Sequence, residues 1–289
     1  MKKMEKQRFI QTSRGVFHYH VLGENGPQIY FCHGNSLSAG TYLPFLRLLA
    51  GHGFKVLAGD LRGHGFSTKE RTGLPVSWDM FVRDIHGLVR EIADPPVTGI
   101  GHSIGGYFLY AAAAMFPGLF SKLVLIDPII FPAGILWAAA FMRKTGLAGM
   151  MKLPKMTRKK KHEFRSREHA FSHYSGKGMF RSWKSEFVKA YVDTAIEQDT
   201  TDTWELCCSP EFEAGIYEAV PLDTWRHAGK IKIPVMVARG EKSDLFYRSA
   251  AEKLADRLAD CTFTELEGLG HFMIMEDPEK IISIILDFL

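Results

Sequence analysis

Apolar and polar positions along this chain alternate between two rhythms. Short runs rich in Val, Ile, Leu, Phe and Tyr predict strands at residues 8–12, 16–22, 28–32, 54–58, 97–100 and 123–126. Stretches with helical spacing separate the later runs. Leu43, Leu46 and Leu49 or Ala50 share one face of a predicted helix over 42–50. Ser77 suits the cap of a helix reaching about Ala93, and the alanine-rich run 107–116 is closed by Pro117. Strands alternating with helices of this length imply right-handed crossovers, hence a mainly parallel sheet with helices on both faces.

The alternation stops near Ile129. It resumes with a strand at 233–239, a helix at 249–258, a strand near 262–266 and a closing helix at 279–289. The strands on both sides complete one pattern. The irregular middle therefore reads as a helical insertion into a single sheet rather than a domain in series. The expected division is a core of residues 1–128 and 231–289 and an insertion of residues 129–230.

Composition changes this picture little. A chain of 289 residues, 46% of them hydrophobic, can bury a large core. The net charge of +4 is small, but the insertion divides it sharply. Residues 141–189 carry fourteen Lys or Arg against three Asp or Glu, while residues 190–229 carry one Arg against nine acids. The basic half, with Lys159-Lys160-Lys161, would suit nucleic acid or an acidic membrane surface. It has no helix-turn-helix or zinc-finger signature, so nucleic acid is not expected as a partner. The expectation is that the two halves pack, partly neutralise each other and leave an ordinary solvated face. Cys32, Cys207, Cys208 and Cys261 show neither metal-ligand nor disulfide-framework spacing, which points to reduced thiols and a cytoplasmic setting. Residues 1–6 are charged but lack a signal peptide's apolar stretch. The longest apolar run, 128–142, holds Pro132 and Gly134 and is short for a bilayer, so no stable membrane insertion is expected.

The chemistry centres on Gly101-His102-Ser103-Ile104-Gly105. A strand is expected before this pentapeptide and a helix after it. A serine on such a tight turn is forced into a strained backbone with its hydroxyl clear of the sheet, and the flanking glycines allow strand and helix to approach. A serine hydroxyl is a poor nucleophile at neutral pH. It needs a base for its proton and donors for the developing oxyanion, and those partners belong at the carboxyl ends of the other strands.

Five motifs stand at such ends: His33-Gly34-Asn35; Asp60-Leu61-Arg62-Gly63-His64-Gly65-Phe66-Ser67; Gly101 to Gly106; Gly240-Glu241-Lys242-Ser243-Asp244; and Gly270-His271-Phe272. In this order they resemble the α/β-hydrolases, and the resemblance covers nearly the whole chain. It implies the α/β-hydrolase fold: a mainly parallel eight-stranded sheet flanked by helices, with an inserted helical lid. It implies a triad in the order Ser, acid, His, with Ser103 as nucleophile. Of twelve histidines, His271 fits the base, since it follows the last strand and precedes the closing helix. Asp244 is the expected acid; Asp127, after the preceding strand, is the alternative seat, and Glu241 a third option. The oxyanion hole is expected from the backbone N–H groups of Asn35 and Ile104.

The substrate site is expected to include His33 and Gly34, with Trp137 and Phe141 either forming an apolar wall over Ser103 or packing within the lid. The implied activity is hydrolysis of a small or medium carboxylic ester through an acyl-enzyme, without metal or cofactor. Relatives that cleave alkyl halides or epoxides carry an aspartate in place of the serine, which argues against those reactions. Hydrolases of carbon–carbon bonds in ring-fission products use the same triad and are the nearest rival reading. A receptor-like ligand-binding relative and a partner-binding charged lid are the non-enzymatic ones. A small-molecule ester is the expected partner, and a homodimer is compatible with the sequence.

Overall fold

One sheet of eight strands carries the molecule, in a computed structural model that describes residues 5–69, 76–199 and 202–289. The strands are β1 (Glu5–Thr12), β2 (Gly15–Leu22), β3 (Gln28–Cys32), β4 (Lys55–Gly59), β5 (Val97–His102), β6 (Phe120–Ile126), β7 (Val235–Gly240) and β8 (Cys261–Leu266). Their order across the sheet is β1-β2-β4-β3-β5-β6-β7-β8. Every pairing from β4 to β8 is parallel, and β2 runs antiparallel to both of its neighbours. The expected fold class is present, and the predicted strands lie within a few residues of the observed ones. Residues 1–4 of the charged leader segment lie outside the described residues.

Side chains alternate across the sheet as strand geometry requires. Tyr30, Leu123, Leu125, Val235 and Val237 enter one core, while Ile29, Phe31, Val124, Ile126 and Met236 enter the other. Helices α1 (Leu43–Gly51), α2 (Trp78–Ile92) and α3 (Ile104–Met115) follow β3, β4 and β5. The first covers one face, and the other two cover the opposite face.

Between β6 and β7, which pair directly, the chain makes a long excursion. It contains α4 (Ala133–Lys144), α5 (Lys152–Thr157), α6 (Arg167–Tyr174), α7 (Ser185–Thr194) and α8 (Pro210–Glu218). It also contains a three-stranded antiparallel sheet of Glu163–Phe164, Trp204–Leu206 and Ile196–Gln198, which the helical reading of this segment did not anticipate. These strands are two or three residues long, too short for periodicity to reveal. Phe187, Val188, Tyr191 and Val192 of α7 join one core and Ile216 of α8 joins the other, so both faces root the excursion. α9 (Arg248–Arg257), α10 (Met273–Glu276) and α11 (Pro278–Phe288) complete the chain. Among the described residues no helix is long and apolar enough to cross a membrane.

The two charged halves of the excursion meet at few points. Arg158 pairs with Glu211 (2.8 Å) and Glu218 (2.6 Å), and Lys160 pairs with Glu213. Lys189 also pairs with Asp193 (2.8 Å), but Arg143, Lys144, Lys152, Lys155 and Lys159 make no ion pair among the described residues, so neutralisation is local rather than general.

Candidate active site

Ser103 closes β5 with φ 58° and ψ −124°, a backbone that side-chain-bearing residues rarely adopt. Packing enforces it. A Cβ on Gly101 would meet the Gly105 carbonyl oxygen at 2.7 Å, and one on Gly105 would meet the Cys32 carbonyl oxygen at 2.4 Å. The serine amide donates to the Ile126 carbonyl (3.0 Å), which ties the turn to β6. Oγ is thereby held at the carboxyl edge of the sheet.

His271 arrives on the loop after β8. Its Nε2 accepts from the Ser103 hydroxyl at 2.9 Å. The tautomer that accepts at Nε2 carries its proton on Nδ1. That nitrogen faces Asp127 Oδ2 at 3.5 Å, longer than a formed hydrogen bond. Among the described residues neither His271 Nδ1 nor either Asp127 oxygen has a hydrogen-bond partner, and all three atoms are buried. Asp127 stands just past β6 with φ 44°, and its amide donates to the Ala238 carbonyl of β7 (2.7 Å).

The position of Asp244 differs from the expectation. It lies on the loop after β7, is exposed, and makes no hydrogen bond or ion pair among the described residues. The Ser243 N–H to Gly240 carbonyl turn (2.9 Å) follows the strand directly, and Asp244 lines the cavity over Ser103 without contacting the imidazole. The carboxylate against Nδ1 is therefore that of Asp127, the alternative seat. Glu241 accepts from the Gly268 amide (2.8 Å) and also lies off the imidazole.

Burial governs the charges. It pushes His271 down to about 4, against the pull of Asp244 and Glu276. It pushes Asp127 well above the usual carboxylate range, against the Ser243 hydroxyl and Arg239. Each group alone is costly to ionise here. Imidazolium and carboxylate side by side relieve that cost for one another.

Asn35 and Ile104 both line the cavity over Ser103, as does Gly34. Ile104 opens α3, so its N–H has no acceptor within the helix. The loop bearing Asn35 is pinned by buried side chains of the neighbouring motifs. His33 donates from Nδ1 to the Gly34 carbonyl (2.8 Å) and accepts at Nε2 from Leu61 N–H (2.9 Å). His64 accepts at Nε2 from Ser36 N–H (3.0 Å). The Asp60 carboxylate accepts from Ala39 N–H (2.7 Å) and from His18 Nδ1 (2.7 Å). His33 is thus a buried prop of the loop and does not line the cavity, contrary to the expectation.

A second chain of bonds joins that loop to His271. Gly34 N–H donates to the Tyr42 hydroxyl (3.1 Å), Tyr42 donates to His102 Nδ1 (2.6 Å), and His102 Nε2–H donates to the His271 carbonyl (2.8 Å). Burial and the neighbouring His271 push His102 down to about 3, which keeps it neutral for this relay. The sequence held no signal for Tyr42; it acts across sixty residues.

The cavity above Ser103 measures about 600 Å³. Ile129, Ile135, Ala139 and Leu153 from the excursion and Leu245 from the core give it an apolar lining. Trp137 and Phe141 point away, 77% and 65% exposed, and make neither wall nor core. Positions two apart on a helix differ by about 200° in azimuth, so a helix that turns Ile135 and Ala139 inward turns Trp137 and Phe141 outward. Lys160, Glu213 and Tyr217 supply the polar end of the cavity. Among the described residues no group of His, Cys, Asp or Glu is arranged to hold a metal ion.

Comparison with known proteins identifies the family. The chain is 27% identical to a non-heme chloroperoxidase of Streptomyces lividans over 93% of its length and 95% of the relative's. It is 25% identical to the human monoacylglycerol lipase ABHD6 over 98% of its length and 81% of the relative's. Among solved structures, E-2-(acetamidomethylene)succinate hydrolase superposes with a TM-score of 0.80 at 22% identity, covering 99% of both chains, which shows a shared fold. The model of the alpha/beta hydrolase family matches residues 29–284. With that span matched, the chain belongs to the α/β-hydrolase family.

Proposed function

We propose that the protein is a serine hydrolase that cleaves a small or medium carboxylic ester with an apolar acyl or alcohol part. The observation that carries this reading is the 2.9 Å contact between Ser103 Oγ and His271 Nε2, made at a strained strand-to-helix turn on the floor of an apolar cavity. Relatives named monoacylglycerol lipase and pimeloyl-[acyl-carrier protein] methyl ester esterase support an ester as the substrate class.

In the proposed cycle His271 Nε2 takes the Ser103 proton as Oγ attacks the ester carbonyl. The Asn35 and Ile104 amides receive the oxyanion. Asp127, at Nδ1, holds the ring in the accepting tautomer and stabilises the imidazolium. His271 then protonates the leaving alkoxide, and water, deprotonated by the same nitrogen, releases the acid from Ser103. Residues 129–230 act as a lid whose inner face selects chain length. A series of p-nitrophenyl acetate, butyrate and octanoate, run beside Ser103→Ala, tests the reading. Turnover that the substitution abolishes is expected, together with covalent labelling of Ser103 by a fluorophosphonate. Absence of both would overturn it, and labelling without ester turnover would favour carbon–carbon bond cleavage or a binding role.

A further inference from the structure

The outer face of the insertion has no task in hydrolysis, and its composition is unusual. Residues 128–162 hold eight Lys or Arg and no Asp or Glu. Arg158 and Lys160 pair with glutamates of α8, and Lys161 lies over the Phe164 ring. Arg143, Lys144, Lys152, Lys155 and Lys159 make no ion pair among the described residues. Between them stand Trp137, Phe141, Leu147, Met150, Leu153 and Met156, all exposed. Trp137, Phe141 and Lys144 share one face of α4, at spacings of four and three. Lys152, Lys155 and Met156 share a face of α5 in the same way. Exposed apolar side chains this numerous mark an interaction surface.

We propose that this face docks on a bilayer surface that carries anionic lipid. The apolar side chains would enter the boundary between headgroups and acyl chains, and the five cations would meet lipid phosphates or carboxylates. Charge selects this occupant. A second copy laid on the same face would oppose five cations to five, while the nearest carboxylates, Glu211 and Glu218, are already engaged by Arg158. Nucleic acid would match the cations but leave the apolar side chains without a partner. The cavity supports the choice independently. Leu153 and Ile135 line it and are also exposed, so its mouth opens within the docking face. Docking so oriented would let an apolar substrate pass from lipid toward Ser103. That entry route rests on the ester reading; the docking itself does not.

Co-sedimentation of the full chain with vesicles of phosphatidylcholine and phosphatidylglycerol at 7:3 tests this. The Ser103→Ala protein serves, so binding is read without turnover and the hydrolase reading can fail separately. Binding is expected at low salt, weakened on vesicles of phosphatidylcholine alone and in 0.5 M salt. Lys152→Gln with Lys155→Gln should lower the partition coefficient roughly 25-fold, at about fivefold per cation. Trp137→Ala with Phe141→Ala should lower it by about tenfold or more, and brominated lipid should quench a fluorescence that Trp137→Phe removes. All these side chains are exposed, and an unchanged thermal melt would show that the variants fold. Three results would overturn the proposal: no vesicle binding by the wild-type surface, equal binding by all variants, or a concentration-dependent dimer lost in Trp137→Ala with Phe141→Ala.

Discussion

Two strand ends offer a carboxylate to His271, and they treat it in opposite ways. Past β6, Asp127 is fully buried, its backbone at φ 44°, with Oδ2 facing His271 Nδ1. Past β7, Asp244 is exposed where it lines the cavity and makes no hydrogen bond or ion pair among the described residues. Both carry the same group, yet only one is placed to fix a ring. Orientation needs a contact, and a contact needs a rigid, dry seat. A charge at longer range can only tilt the titration of the ring. The difference separates holding a base from tuning it.

Substitution at each position tests that separation most strongly. Asp127→Asn should lower kcat by about 10³–10⁴-fold, because an amide at Nδ1 favours the wrong tautomer. Asp244→Asn should cost less than about tenfold. Steady-state kinetics on a p-nitrophenyl ester reads both, and the reverse ranking would return the acid to β7. Stability adds an independent sign. Burial raises the folded pKa of Asp127, so its contribution is present below the unfolded value and lost as pH rises through the folded one. At pH 7 Asp127→Asn should therefore hold or raise Tm by a few degrees while activity collapses. A falling Tm would mean the carboxylate is a structural anchor.

His271 is held from a second side. His102 grips the backbone carbonyl of His271 and is itself held by Tyr42, which also binds the Gly34 amide. Tyr42→Phe leaves Gly34 N–H and His102 Nδ1 unpaired in a buried place, at about 1–3 kcal/mol for each. The expected result is a fall of several degrees in Tm with a loss in kcat of roughly 10–100-fold, smaller than for Asp127→Asn. A kcat loss equal to that of Asp127→Asn would show that backbone placement matters as much as the carboxylate.

These contacts explain what could be read in the chain and what could not. Ser103 was legible because the strained turn demands glycines at fixed offsets, and His271 because it stands between the last strand and the last helix. The sheet was legible for a similar reason: a strand's burial shows in its own residues. Asp127 and Asp244 could not be ranked from sequence, since both end a strand and the ranking depends on where the loop turns next. Asp127 followed by Pro128 also reads as an ordinary turn. Trp137 and Phe141 read either as a wall over Ser103 or as packing within the lid, and they are neither. The phase of α4 sends Ile135 and Ala139 to the cavity instead, and a helix with apolar residues on several faces does not announce its phase. Tyr42 and His102 act through single hydrogen bonds across the fold, which leave no periodic trace.

The smallest expected effect isolates what Asp244 does at a distance. The proposed cycle requires His271 neutral, so kcat/KM is expected to be present above its folded pKa and lost as pH falls through it. Burial sets that value at about 4, and the acid limb should lie near there rather than near the ordinary histidine range. Asp244 and Glu276 both pull the value upward. Removing either charge takes away support for the imidazolium, so Asp244→Asn should shift the acid limb to lower pH, with Glu276→Gln as the parallel case. Glu276 also accepts from the Gly270 amide (2.8 Å), so its substitution should cost some rate besides. The plateau rate of Asp244→Asn should stay near wild type, because no contact is lost. A pH–rate profile of both variants reads limb and plateau together. If the plateau of Asp244→Asn falls steeply while its acid limb stays fixed, Asp244 reaches Nδ1 in solution and is the holding residue rather than the tuning one.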